Sequence, residues 1–237
     1  MKKRIDETWP FWVAIAACIQ FVVLTAVAML IYPGGSIAGV PTRHYSFFRN
    51  FFSELGMFVT GGGQPNLPSA LLFIFALMVA GLGLVTFFLN VPRFFRQQRV
   101  VYVLSILGSI AGIFAGLSFI GVAFTPADVF IEAHAWFVLA AFQAFPVAAA
   151  FYTVAILLNP AYPNRYAAVY GVFAVLLVAY VALLRMGPGF DTPEGLLIQA
   201  TGQKVIVYVA ILCTLAESYG ALRLSRGAAA NSFSSRA

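Results

Sequence analysis

The sequence predicts an all-α, polytopic integral membrane protein with six transmembrane helices. Of its 237 residues, 62% are hydrophobic and only 9% are charged. A soluble domain has about 45–50% apolar and about 25% charged residues. The composition therefore excludes a water-soluble enzyme or a soluble binding domain.

Six apolar stretches are long enough to cross a bilayer core of about 30 Å, which takes about 20 helical residues. The predicted spans cover residues 10–32, 68–89, 100–124, 129–158, 166–186 and 203–224. They form a single domain over residues 1–237, with a disordered tail predicted over residues 225–237 because that segment is small and polar. The N-terminal basic residues and the first apolar run also fit a cleaved signal peptide, which would leave five helices.

The basic residues predict an orientation with both termini inside. With the N-terminus inside, most of the 14 Lys and Arg residues fall on the inner side, as the positive-inside rule requires. The exceptions on the outer side are Arg43, Arg49, Arg185 and Lys204. The basic residues form no continuous stripe, so no nucleic-acid partner is expected.

Residues 45–59 predict an amphipathic helix on the outer side, after the first span. The apolar residues recur at helical spacing and the polar residues fall on the opposite face. The apolar set is Phe47, Phe48, Phe51, Phe52, Leu55 and Phe58. Two interpretations remain open: an interfacial anchor, or a lid over a site between the helices, with Arg49 and Glu54 pointing inward and Ser53 beside them.

The start of the fourth span contains a second group of polar residues. Thr125 and Pro126 are typical of an N-cap and a first helical residue, and Asp128 of a capping-box carboxylate. His134 lies about 12 Å along the predicted helix. Ionisable residues at such depth usually face the bundle interior and mark function. The alternative is a histidine that only bonds a neighbouring helix.

The last span contains a third polar group. Asp191 or Thr192 is predicted to cap a helix that begins at Pro193, which places Lys204 about 16 Å along it. A lysine at this depth needs a partner, a polar pocket or a path to the interface. Glu217, further along the helix, is expected to pair near the inner interface.

These groups predict one polar layer in the outer leaflet, with carboxylates at its mouth. The candidate ligand-binding residues are Lys204, His134, Gln203, Gln199, Arg185, Arg49, Glu54 and Ser53. The candidate catalytic residues are His134, Glu54 and Asp128. No metal site and no cofactor are predicted, because the histidines are too few for haem and their spacing does not indicate zinc.

Gly108, Gly112 and Gly116 form a double GxxxG that lets another helix approach closely, within the chain or between protomers.

Several short motifs resemble those of a known family. They are Phe51-Phe52-Ser53-Glu54-Leu55-Gly56, the Pro68 start of the second span, Gly121-x-x-Phe124-x-Pro126-x-Asp128 followed by His134, and Gln203-Lys204. This set resembles the six-helix bacterial family called domain of unknown function 998. It is more distantly similar to the damage-regulated autophagy modulators and the GPI-anchor lipid-remodelling proteins. The resemblance implies a six-helix protein of the bacterial inner (cytoplasmic) membrane with a loose link to lipid handling, and it supplies no mechanism.

Three functions follow as expectations. The first is a non-enzymatic protein that binds or handles a membrane lipid, holding an anionic headgroup with Lys204 and His134. The second is a membrane-embedded lipid hydrolase or transferase, in which His134 acts as general base with Glu54 or Asp128 as partner. The third is a structural or partner subunit, or a homo-oligomer, that associates through the face formed by Gly108, Gly112 and Gly116.

Overall fold

The computed structural model describes the main chain of residues 8–234 and the side chains of residues 8–227. Within these limits the chain is all-α, and six helices are long and apolar enough to cross a membrane. They are α1 (Trp9–Ile31), α2 (Leu67–Asn90), α3 (Arg99–Phe124), α4 (Ile131–Leu157), α5 (Asn164–Met186) and α6 (Pro193–Ser234). The six-helix prediction is confirmed. The first seven residues, on which the signal-peptide alternative and part of the orientation argument rest, lie outside the described residues.

Prolines set the start of several helices. Pro10, Pro68 and Pro193 each occupy the first turn of a helix, where the missing N–H is not needed and the fixed φ suits the helix. Thr192 accepts a hydrogen bond on Oγ1 from the N–H of Gly195 at 3.1 Å. This bond confirms Thr192 as a cap of α6.

Two predicted boundaries were wrong. The fourth helix begins at Ile131 rather than at Pro126, because residues 126–130 form a turn in which Phe130 N–H bonds to Pro126 O at 2.8 Å. The tail predicted to be disordered from Ser225 is helical as far as Ser234, in a stretch that includes the strong helix former alanine. The last three residues lie outside the described part of the chain.

The helices form a ring in chain order. Each helix packs against the next one, and α6 also packs against α1. At one end, Arg93 donates a hydrogen bond to Ser225 Oγ at 2.9 Å, and Asn159 donates one to Phe94 O at 3.1 Å. This end therefore gathers the α2–α3 connection, the α4–α5 connection and the last turns of α6. We call it the basic end.

The glycine face of α3 is used inside the chain. A Cβ on Gly112 would lie 2.4 Å from the ring of Phe88 on α2, and one on Gly108 would lie 2.9 Å from Tyr152 on α4. A Cβ on Gly116 would lie 2.9 Å from the carbonyl of Gly81. The glycines thus let α2 and α4 approach α3 within the chain.

Candidate functional site

The end opposite the basic end is closed by the α1–α2 connection, residues 33–66, which we call the cap. The cap contains one short 3-10 helix, Phe52–Gly56. Near it, a tight hairpin pairs Val59 with Pro65. The amphipathic helix predicted over residues 45–59 is absent from this part of the structure.

Several main-chain N–H groups of the cap donate to side-chain oxygens instead of to the main-chain carbonyls of a helix. Asn50 Oδ1 accepts from the N–H of Ser46 at 2.9 Å, and Glu54 Oε1 accepts from the N–H of Phe51 at 2.8 Å. Gln203 Oε1 of α6 accepts from the N–H of Phe52 at 2.6 Å. Side chains that bond to the main chain in this way compete with a regular helix, which explains why the apolar periodicity did not produce one.

Close approach between two glycine pairs holds the cap together. Gly34 and Gly35 have φ of +102° and +85°, a region that favours glycine. A Cβ on Gly35 would lie 2.4 Å from the N atom of Gly62, and one on Gly61 would lie 2.0 Å from the carbonyl oxygen of Ser36. Gly61 and Gly62 therefore allow close contact between two segments of the cap, residues 34–36 and residues 61–62.

Glu54 is the hydrogen-bonding centre of the cap. The residue is 1% exposed, and its Oε2 accepts from Ile37 N–H at 2.9 Å and from Asn50 Nδ2 at 2.8 Å. Burial raises the pKa of the Glu54 carboxyl, while these donors, the N–H of Phe51 and the positive charge of Lys204 oppose the rise. The inward orientation expected for Glu54 is found, and the carboxylate organises the cap main chain.

Lys204 of α6 lies directly beneath the cap. It is 1% exposed, and its ammonium group donates a hydrogen bond to the main-chain carbonyl of Asn50. Three aromatic rings surround the ammonium: the centroids of Tyr45 and Phe47 are each 5.3 Å away, and that of Phe52 is 5.5 Å away. Cation–π contacts of this kind stabilise a desolvated cation by about 2 kcal/mol or more.

Asp128 holds the hairpin of the cap from the α3–α4 connection. Its Oδ2 accepts hydrogen bonds from the N–H groups of Phe58 at 3.0 Å and Val59 at 2.9 Å. The capping-box role predicted for Asp128 is therefore wrong, because its carboxylate is used to bind a segment about seventy residues away. Thr125 likewise donates its hydroxyl to Gly121 O at 2.8 Å instead of capping α4.

His134 is buried, but it belongs to a different group of contacts. Its Nδ1 lies 2.7 Å from the carbonyl oxygen of Thr125. Since a carbonyl only accepts, Nδ1 carries a hydrogen, and in the neutral imidazole Nε2 is then the acceptor. The described contacts of His134 do not include Glu54, Asp128 or Lys204, so the structure does not assemble the acid–base pair that the enzymatic hypothesis requires.

The other predicted ligand residues are dispersed. Gln199 donates both amide hydrogens to the carbonyls of Leu183 and Pro188, each at 3.0 Å, and so fixes the end of α5 against α6. Arg185 and Arg49 are exposed, which makes the inward orientation expected for Arg49 wrong. Of the predicted ligand residues, Gln203 and Lys204 bond to the cap segment that contains Ser53 and Glu54.

An apolar cavity lies inside the helix ring, immediately below the cap. The volume that the centre of a water molecule could occupy inside it is about 100 Å³. The lining comes from the 3-10 helix of the cap and from each of the six long helices except α5. Six phenylalanines contribute: Phe21, Phe52, Phe73, Phe119, Phe142 and Phe145. Ser53 and Gln203 line the cap end of the cavity, and Thr214 lies furthest along α6 toward the basic end.

Two residues that hold the site together, Asn50 and Tyr45, were not predicted from the sequence. Asn50 joins several parts of the site, because its side chain bonds to Ser46, Gly35 and Glu54 and its main-chain carbonyl accepts from Lys204. Tyr45 donates its hydroxyl to the carbonyls of Asn50 and Phe51 at 3.2 and 3.1 Å. An asparagine and a tyrosine beside a helix-like apolar pattern carry no distinctive signal, so only the folded chain identifies them.

The fold and the site define a class: an all-α protein with six helices able to span a membrane, with a cap over an internal apolar cavity. No family model, curated protein or solved structure matches the chain. The resemblance to the six-helix bacterial family therefore stays a prediction. Among the described residues, no three His, Cys, Asp or Glu side chains lie close enough together to hold a metal ion.

Proposed function

We propose that this chain is an integral membrane protein, of the bacterial inner membrane, that binds a lipid by enclosing part of its acyl chain in the central cavity. The observation that carries the proposal is the cavity itself, which is lined by aromatic and aliphatic side chains directly beneath a hydrogen-bonded cap. A water needs about 10–15 Å³ of such space, so the cavity has room for several methylene-sized groups.

The lining chemistry selects an apolar occupant. A cavity lined by apolar side chains does not retain water, because a buried water needs two to four polar partners. The polar atoms on the lining are few and belong to Ser53, Gln203 and Thr214, and Gln203 and Thr214 each already make a hydrogen bond. In a bilayer, the most abundant apolar group available to such a space is a lipid acyl chain.

The cap supplies the polar end of the proposed site. Ser53 and Gln203 lie where the cavity meets the cap, and Lys204 follows Gln203 on the same helix turn. A lipid whose chain enters the cavity places its polar group close to these residues. Lys204 is enclosed by Asn50 and aromatic rings, so an anionic headgroup reaches its charge only when the cap is displaced.

The test uses a phosphatidylglycerol with a photoreactive diazirine on its acyl chain, reconstituted with the protein and mapped by peptide mass spectrometry. We expect crosslinks on cavity-lining residues such as Ala210 and Phe142 in addition to the lipid-facing surface. Ala210→Phe fills the cavity and should remove the internal crosslinks. Leu212→Phe is the matched control, because Leu212 is exposed on the same helix. Crosslinks confined to lipid-facing residues in the wild-type protein would contradict the proposal.

A further inference from the structure

Glu217 is a buried carboxyl that the proposed lipid site does not use. It lies in the membrane-spanning part of α6 and is 1% exposed. Neither of its carboxyl oxygens has a hydrogen-bond partner within the described chain, and the buried hydroxyl of Ser218 beside it also has none. About 90% or more of buried polar groups are hydrogen-bonded in proteins. Three unpartnered oxygens on two adjacent residues therefore mark a site with a missing component.

The pairing expected for Glu217 near the inner interface is not formed in the described part of the chain. Arg223 instead places its guanidinium 5.4 Å from the ring centroid of Tyr219. The titratable groups that interact electrostatically with Glu217 are the phenols of Tyr162 and Tyr170 and the thiol of Cys213. None of these groups is a cation, so nothing in this set balances a negative charge on the carboxyl.

Glu54 provides a comparison within the same molecule. Both glutamates are 1% exposed. Glu54 accepts hydrogen bonds from three donors and lies within reach of the Lys204 charge, which is the arrangement that supports a buried carboxylate. Among the described residues, Glu217 has neither such donors nor such a charge. Isolating an ionised carboxylate from water costs far more than keeping the acid neutral.

We propose that Glu217 is a proton-binding site, whose carboxyl holds a proton in the folded protein at neutral pH. The ligand class is thus H⁺, and the two unpartnered carboxyl oxygens of Glu217 are the atoms that hold it. The site lies about 20 Å from Lys204 along α6, at 1.5 Å per residue. It also lies one turn beyond Thr214, where the lining of the central cavity ends. The proton site is therefore separate from the cap and does not depend on lipid binding.

The proton itself is measured by infrared spectroscopy of the purified full-length protein labelled with ¹³C at the glutamate carboxyl groups. We expect the wild-type protein at neutral pH to show the C=O band of a protonated carboxyl. Glu217→Gln should lose this band, whereas Glu54→Gln should keep it. Glutamine resembles the neutral acid in shape and hydrogen bonding, so the Glu217→Gln variant should fold. A wild-type spectrum without the band, or a band unchanged by Glu217→Gln, would overturn the proposal.

Dicyclohexylcarbodiimide gives a second measurement on the wild-type protein alone. The O–H of a protonated carboxyl adds across one C=N bond of the reagent, and the O-acylisourea rearranges to a stable N-acylurea without loss of any group. We expect adduct on the peptide with Glu217 and little or none on the peptide with Glu54, because the three donors and the Lys204 charge favour the ionised form of Glu54. Equal labelling, or preference for Glu54, contradicts a proton held at Glu217.

Discussion

The side-chain oxygen of Gln203 accepts a hydrogen bond from the main-chain N–H of Phe52 at 2.6 Å, across 151 residues of sequence. The next residue of α6, Lys204, donates to the carbonyl of Asn50, on the other side of the same cap segment. Two consecutive residues of the last helix therefore hold the main chain of the cap by an acceptor and a donor. Together with the bonds from Asp128 to the hairpin, this pair of contacts holds the cap over the cavity.

The first prediction concerns the acceptor. Gln203→Leu leaves the buried N–H of Phe52 without a partner, which costs about 1–3 kcal/mol. We expect a lower midpoint of thermal unfolding in detergent and faster proteolysis within the cap. Gln64→Leu is the control, because Gln64 is exposed in the same cap and surface substitutions stay within about 0.5 kcal/mol. Equal effects of the two substitutions would show that the bond from Gln203 does not hold the cap.

The second prediction concerns the charge of Lys204. Lys204→Met keeps a flexible side chain among the three rings, and sulfur packs well against aromatics. It removes the donor to Asn50 and the positive charge near Glu54, so we expect a loss of about 1–3 kcal/mol in the free energy of unfolding. Arg49→Met, which removes an exposed cation from the cap, should have little effect.

A double substitution separates charge from packing at Lys204. In the Lys204→Met variant, the carboxylate of Glu54 no longer has a compensating positive charge. Glu54→Gln should therefore lower the free energy of unfolding less in this variant than in the wild-type protein. A double-mutant cycle of unfolding free energies measures this difference. Strictly additive losses would mean that Glu54 and Lys204 act independently, and would contradict an electrostatic link between them.

The third prediction concerns alkaline pH. Burial, followed by the negative charge of Glu54, raises the pKa of Tyr45 well above its usual value near 10. The folded cap therefore keeps the phenolic proton that donates to the carbonyls of Asn50 and Phe51, whereas the unfolded chain releases it. Because the folded state binds more protons, the free energy of unfolding should fall as the pH rises above about 10.

Thermal unfolding at several pH values, with tyrosine ionisation followed by ultraviolet absorbance, tests this dependence. Tyr45→Phe should weaken the fall of stability between about pH 9 and 11, although the substitution itself removes two hydrogen bonds. Tyr219→Phe is the control, because Tyr219 is 51% exposed. The dependence on Tyr45 is refuted if both variants lose stability as steeply as the wild-type protein.

The sequence was sufficient for the helices but not for the cap. Apolar runs of bilayer length and prolines in the first turn are local features, so α1 to α5 were predictable close to their observed bounds, whereas α6 continues past the predicted span to Ser234. The cap segment has the apolar period of a helix, yet its structure depends on acceptors at Gln203 and Asp128. Gln203 and Asp128 are distant from the cap in the sequence, and no local sequence pattern predicts their contacts with it.

The candidate site was predictable in part for the same reason. Lys204 and Glu54 were correctly expected to face inward, since a lysine at such depth needs partners. His134 was expected beside them, but whether α4 and α6 bring these side chains together depends on helix order and rotation. The inward direction predicted for Arg49 assumed a helix over residues 45–59. The prediction was wrong because this part of the cap consists of turns, in which Arg49 is exposed.

The last prediction concerns orientation in the membrane. The positive-inside rule places the basic end in the cytoplasm and the cap outside. Cys18 and Cys213 are buried, so replacing both with alanine gives a background for single cysteines. Gln64→Cys probes the cap and Arg96→Cys probes the basic end, and both positions are exposed. A membrane-impermeant maleimide on intact cells should label Gln64→Cys at once and Arg96→Cys only after permeabilisation.

Orientation decides which leaflet presents lipid to the cavity. If the maleimide labels Gln64→Cys in intact cells, the cap faces the outer leaflet, and a lipid that reaches Ser53 and Gln203 must come from that leaflet. The basic end, with Glu217 one turn beyond the cavity lining, then faces the cytoplasm. The reverse labelling pattern would place the cap in the cytoplasm and contradict the orientation argued from the basic residues. It would leave the hydrogen bonds of the cap, and the first three predictions, unchanged.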